Sequence, residues 1–162
     1  MLFRSSDFAK PAPLQLRPLH LIDVIKDTVT LLSNQCLAQS VEVTTTFEGN
    51  GVLVQADASQ VKQVVLNVLL NSLEAMSNGG RLEVATKLAG KYQVLRISDT
   101  GCGITPEHQR QIWDPFFTTK ERGMGLGLSI VKGVIERHGG QIAIFSTPGK
   151  GTAVELLLPT VQ

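Results

Sequence analysis

Two rhythms of apolar and polar residues alternate along this chain, and each change of rhythm marks the end of an element. Leu21, Val24, Ile25, Thr28, Val29, Leu32 and Cys36 recur at helical spacing and predict a first amphipathic helix ending near Gln39. The β-branched run Val41-Glu42-Val43-Thr44-Thr45-Thr46-Phe47 predicts a strand, Glu48-Gly49-Asn50-Gly51 a turn, and Val52-Leu53-Val54-Gln55-Ala56 a second strand. Asp57-Ala58-Ser59-Gln60 has the form of a capping box, in which Asp57 accepts from the first free amides of a helix and Gln60 reaches back. The long helix that follows carries Val61, Val64, Val65, Val68, Leu69, Leu73 and Met76 on one face and Gln60, Gln63, Asn67, Asn71 and Glu74 on the other.

Ser77-Asn78-Gly79-Gly80 stops that helix with residues that tolerate left-handed backbone. Two alternating runs come next, residues 81–88 around Leu82, Val84 and Thr86 and residues 92–98 around Val94, Leu95 and Ile97. Ala89-Gly90-Lys91 joins them as a hairpin, which puts Asp99 at the end of a central strand. Thr105-Pro106-Glu107 opens a short helix with a cap and then proline at the first position. Residues 118–124 are polar with glycine near the end, the composition of a mobile cover. Helical spacing returns from Leu128 to Ile135 and closes at Arg137-His138-Gly139-Gly140. Residues 141–146 and 152–158 predict a last hairpin around Thr147-Pro148-Gly149-Lys150-Gly151. Strands and helices do not alternate regularly enough for a doubly wound parallel sheet. The expected class is α/β, a two-layer sandwich of a mixed sheet with helices on one face.

Composition narrows the function classes. A chain of 162 residues, 43% hydrophobic, makes one globular domain with its own core and leaves no room for a second. Formal net charge is +1 with no basic block, so no electrostatic footprint for nucleic acid or an anionic membrane is present. Cys36 and Cys102 stand singly, without metal-ligand spacing, as reduced thiols of a cytoplasmic domain do, and both read as small buried or half-buried residues. No apolar run approaches the roughly 20 residues of a membrane span, and the N-terminus lacks a signal-peptide pattern. Met1 to Lys10 followed by Pro11-Ala12-Pro13 reads as the end of a preceding element and a stiff linker. There is no internal repeat.

Candidate chemistry gathers at two glycine loops. Asp99-Thr100-Gly101-Cys102-Gly103-Ile104 begins with an acid at a strand end, placed to meet a ligand. Its glycines are expected to turn with positive φ and to let the backbone approach something flat or bulky. Gly123-Met124-Gly125-Leu126-Gly127-Leu128 runs straight into a helix, whose free first-turn amides favour an anion such as phosphate. On the long helix, Asn67 and Asn71 are poor choices for an ordinary exposed interior. By residue type alone they fit either surface polar positions or cleft-facing amides that need partners. Gly149-Lys150-Gly151-Thr152 is no P-loop, since Gly151 breaks the required pattern, and the glycine run is no dinucleotide fingerprint because it follows a polar loop.

Asn67-x-x-x-Asn71, then Asp-x-Gly-x-Gly from Asp99, Phe116-Phe117 and Gly-x-Gly-x-Gly from Gly123 resemble, in that order, the ATP-binding catalytic domain of sensor histidine kinases. That domain shares a superfamily with DNA gyrase, MutL and the ninety-kilodalton heat-shock chaperone. The resemblance implies residues 1–15 as the end of a dimerisation helix and linker, and 16–162 as the catalytic domain. It implies ATP and Mg²⁺ as cofactors. Asn71 would hold the metal with Asn67 in support, and Asp99 would accept from the exocyclic amine of adenine, which a carboxylate suits. Gly101, Gly103, Ile104, Gly123, Met124, Gly125, Leu126, Gly127, Leu128 and Thr152 would line the nucleotide, with residues 118–124 as its lid and Phe116 and Phe117 anchoring the lid base. Lys120 and Arg122 would either reach phosphates or remain solvated lid charges.

The ATPase members of the superfamily place a glutamate base one turn before the metal-binding asparagine. Asn67 stands there and cannot take a proton, which fits presentation of ATP to an external nucleophile. His20, His108 and His138 lack the context of a phosphoacceptor histidine. The implied partners are therefore the kinase's own dimerisation domain and, through the full-length kinase, a response regulator. The isolated domain is expected to be a monomer, its parent a homodimer. Two other readings share the motifs: an ATP-dependent conformational module without phosphotransfer, and an anti-sigma-factor-type serine kinase.

Overall fold

The computed structural model describes residues 13–114 and 127–161. Seven strands and five helices are seen among them: β1 (Arg17–Leu19), α1 (Leu21–Leu31), α2 (Ser33–Ala38), β2 (Val41–Phe47), β3 (Val54–Ala56), α3 (Ala58–Glu74), β4 (Gly80–Ala89), β5 (Tyr92–Asp99), α4 (Pro106–Gln109), α5 (Leu128–Arg137), β6 (Gln141–Thr147) and β7 (Gly151–Pro159). The main sheet has the order β2-β4-β5-β7-β6. Only β2 and β4 run parallel; the other pairs are antiparallel, which makes the sheet mixed as expected.

The helices bury one face of that sheet. Leu82, Val84, Leu95, Ile97, Val154 and Leu156 point into a core shared with Leu21 and Ile25 of α1, Val61, Val65, Val68, Leu69 and Leu73 of α3, and Val131 and Ile135 of α5. Each such side chain removed from water contributes about 1.5–3 kcal/mol, and this burial, more than helix propensity, holds α3 in place. The open face is polar. Arg96 and Glu155 form an ion pair there at 2.6 Å, and a concavity of about 440 Å³ is lined by Glu42, Thr44, Arg81, Glu83, Ser98 and Thr100.

Several local expectations needed correction. The first helix is two helices, broken at Leu32 (φ −96°, ψ 4°). There the Leu32 amide is shared between the Thr28 and Val29 carbonyls, and the Ser33 hydroxyl takes the Thr30 carbonyl at 2.8 Å. A serine that bonds to backbone competes with helix continuation. The strand expected at residues 52–56 is shortened to Val54–Ala56. It pairs with β1, which its Arg-Pro-Leu sequence does not reveal. Gln60 does not complete the capping box. Asp57 accepts from the Ser59 and Gln60 amides at 3.1 and 3.2 Å, but its own N–H goes to His138, and Gln60 Oε1 has no partner. Cys36 is buried as expected, whereas Cys102 is exposed.

Candidate functional site

Strand β5 delivers Asp99 at its C-terminal end, between β4 and β7 at the centre of the sheet. The side chain is only 7% exposed and faces the helical layer. Its Oδ1 accepts from the Gly101 amide at 2.8 Å and the Thr152 amide at 3.3 Å. Ser72, in the last turns of α3, is buried at 4% exposed. Burial pushes the Asp99 carboxyl above the usual aspartate range, while the Gly101 amide, the Ser72 hydroxyl and the Thr152 amide pull it back. With two backbone amides converging on Oδ1, acceptor capacity remains on Oδ2 for a ligand donor.

The loop after Asp99 is held by protein contacts on both sides. Gly103 has φ +72°, but Gly101 does not have positive φ, contrary to expectation. Its requirement is steric: a Cβ there would lie 2.6 Å from the Ala75 carbonyl oxygen. The close approach inferred for Gly101 is therefore to the end of α3. Cys102 donates its amide to the Ala75 carbonyl at 3.2 Å and accepts from Gly149 at 2.7 Å. Ile104 donates to Ser146 Oγ at 2.8 Å, and that hydroxyl lies 2.7 Å from Thr152 Oγ1. Gln109 ties the Ile104 and Ser146 carbonyls together at 2.8 and 3.2 Å. These bonds bring Asp99, Gly101, Ile104 and Thr152 into one network, with Gly103 in the loop between them.

Asn67 and Asn71 share a face of α3 one turn apart. Asn67 is 8% exposed, and its Oδ1 accepts from Gln63 Nε2 at 3.2 Å, so it is not a free surface amide. Asn71 is half-buried, one residue before the buried Ser72. Among the described residues no group of three or more His, Cys, Asp or Glu side chains could hold a metal ion. The two amide oxygens are neutral and hard, a donor set that fits Mg²⁺ arriving with phosphate oxygens and its own waters.

Gly127 is the N-cap of α5 and has no side chain to cap it, and Leu128 is the first helical residue. The Ile130 amide bonds the Gly127 carbonyl at 2.9 Å, and no side chain among the described residues caps the turn. Phe116, Phe117, Lys120, Arg122, Gly123, Met124, Gly125 and Leu126 lie outside the described residues. Sequence reasoning missed Ser146 and Gln109, which look like ordinary exposed positions until β6, β7 and α4 pack together.

No helix among the described residues is long and apolar enough to cross a membrane. The sensor histidine kinase ZraS of Salmonella typhimurium is 39% identical over 96% of this chain, which covers 34% of that protein. Sporulation kinase C of Bacillus subtilis is 34% identical over 93% of the chain, which covers 36% of it. The chain thus spans about a third of the length of these curated relatives. The solved catalytic domain of the histidine kinase ThkA superposes with a TM-score of 0.81 at 26% identity, covering 90% of this chain and 95% of that one. Residues 56–162 match the histidine kinase-, DNA gyrase B- and HSP90-like ATPase family, and the chain belongs to it.

Proposed function

We propose that this domain binds ATP with Mg²⁺ and presents the γ-phosphoryl group to a histidine on the dimerisation domain of the same kinase, for relay to a response regulator. The observation that carries the reading is Asp99, a buried acceptor whose Oδ1 is already occupied by two backbone amides. Such a carboxylate suits the exocyclic amine of adenine and not the carbonyl that guanine carries at the same place.

Phosphate would lie toward the N-terminus of α5, where the N-cap Gly127 has no side chain to occupy the first turn. Asn71, supported by Asn67, would hold Mg²⁺, which when bound neutralises charge on the transferring group. Asn67 cannot act as a base for water, because an amide oxygen bonded to Gln63 has no proton affinity to spare at neutral pH. This chain's contribution is then positioning and electrostatics, with the nucleophile supplied from elsewhere. Lys120 and Arg122 are assigned to the phosphates as lid cations. The segment up to residue 15 would be the link to the dimerisation helices, and the cytoplasm the compartment in which ATP is met.

Calorimetric titration of ATP, ADP and GTP with and without Mg²⁺ tests the first half of the proposal. Adenine-selective binding is expected, and equal binding of GTP would refute the role of Asp99. For the second half, the domain is mixed with the histidine-bearing domain of its parent and labelled ATP. Acid-labile phosphohistidine is expected; label confined to acid-stable phosphoserine, or ATP binding with no transfer at all, would count against it.

A further inference from the structure

The Lys132 ammonium lies 5.1 Å from the centre of the Trp113 ring, and both residues are half-buried. A cation is drawn to the negative face of an aromatic ring, most strongly for indole and more so as water withdraws. The two residues belong to segments with different duties. Trp113 follows α4, which grows out of the Asp99 loop. Gln109 Nε2 holds that segment to the Ile104 and Ser146 carbonyls, and the Gln111 and Asp114 amides close the turns on either side of Trp113 by bonding the His108 and Gln111 carbonyls, each at 2.9 Å. Lys132 stands in the second turn of α5, whose buried residues are Val131 and Ile135. Apolar burial holds α5 down without direction. The contact with Trp113 adds a directed restraint close to the start of the helix.

Resting on the reading that phosphate lies toward the N-terminus of α5, we infer that Trp113 and Lys132 are a pair of positioning residues, whose cation–π contact sets the start of α5 at a fixed place relative to the Asp99 loop. Neither side chain touches the nucleotide in this role. A nucleoside polyphosphate spans both halves of the site, so its affinity depends on how they are held relative to one another. Adenosine engages only the half around Asp99 and is indifferent to where α5 starts. A lysine that bound phosphate directly would need no ring beside it, and the two cases separate by which variants lose affinity.

The test titrates adenosine, ADP and ATP, each with Mg²⁺, calorimetrically into wild type, Lys132→Met, Lys132→Arg, Trp113→Leu, Trp113→Tyr and the Lys132→Met/Trp113→Leu double variant. Lys132→Met removes the charge but keeps the stem and a good helix former, so the fold is expected to persist. Lys132→Met and Trp113→Leu should each weaken ATP and ADP about three- to tenfold, the scale of one half-buried cation–π contact, and leave adenosine unchanged. The double variant should lose no more than either single one, as residues acting through one contact do. Lys132→Arg and Trp113→Tyr, which keep a cation and a ring, should restore most of the affinity. Trp113 is the chain's only tryptophan, so its emission reports on the contact directly and should differ between wild type and Lys132→Met. Identical emission in those two would overturn the inference, as would unchanged ATP affinity in both single variants. A loss in Lys132→Met beside full affinity in Trp113→Leu would make Lys132 a direct phosphate ligand and overturn the pairing. Equal losses for adenosine and ATP would assign the pair to structure and overturn it too. A wild-type protein that binds adenosine as tightly as ATP would instead remove the underlying reading of α5 as the phosphate side.

Discussion

The backbone N–H of Asp57 donates to Nε2 of His138 at 3.1 Å, a buried bond between residues 81 apart in the chain. His138 Nδ1 lies 2.8 Å from the Val134 carbonyl, so the tautomer that satisfies both bonds carries its proton on Nδ1. The Asp57 carboxylate in turn accepts from the Gln15 amide and from the first turn of α3. One aspartate thereby joins the segment just before β1, the helix that carries Asn67 and Asn71, and the C-terminal end of α5.

His138→Ala leaves the Asp57 N–H buried and unpaired, which should lower stability by about 1–3 kcal/mol. His138→Gln offers an acceptor at similar reach and should recover part of the loss. Urea midpoints of the three proteins measure this; a His138→Ala midpoint equal to wild type would mean that water replaces the imidazole.

Asp99→Asn should abolish most ATP binding while circular dichroism stays unchanged, because an amide oxygen still accepts from Gly101 and Thr152. The pH dependence of stability follows from the direction of the shift. A buried acid whose folded pKa is raised contributes stability that is full below the usual aspartate range and is lost as pH rises through the folded value. The neutral-pH melting temperature of Asp99→Asn should therefore be no lower than that of wild type. Asp57 has the opposite sign: its carboxyl is held low, first by the Gln15 amide, so its contribution is present at neutral pH and is lost as pH falls through the depressed value. Asp57→Asn should lose stability at neutral pH and show a shallower acid transition in thermal melts over a pH series.

Asn71→Ala should weaken Mg²⁺-dependent ATP binding more than ADP binding, since the triphosphate shares more of its metal coordination with the protein. Calorimetry with both nucleotides, with Mg²⁺ and with chelator, reads this out. Equal losses for the two would make Asn71 a structural residue.

Gly101→Ala introduces a Cβ 2.6 Å from the Ala75 oxygen and 2.7 Å from the Ala75 Cβ. Neither can yield without moving the end of α3, so a loss of about 1–3 kcal/mol is expected, as for overpacking. The shifted loop should also weaken ATP binding. Wild-type stability and affinity together would show that the loop has room the structure does not suggest.

Legibility from sequence followed the range of the interactions. The Asp57 cap, the 58–74 helix, the 80–99 hairpin and the Thr105-Pro106 helix start were readable because each depends on neighbours within a few residues. The Leu32 break was readable only in part, since Ser33 competes with the helix locally but the choice between continuing and breaking is settled by packing. Strand β1 was not readable: three residues with proline at the centre become a strand only against Val54–Ala56.

The same division runs through the site. Asp99 with its glycines, and the Asn67–Asn71 pair, are picked out as candidates by the sequence alone, because their residue types and spacing are unusual for a strand end or a helix surface. Tertiary structure alone decided which partners those groups take. Thr152 reaches Asp99 through the β5–β7 register, and His138 displaces Gln60 from the Asp57 amide. Those bonds join positions 53 and 81 residues apart, and only the pairing of distant strands and the closing of helices onto the sheet bring them within reach.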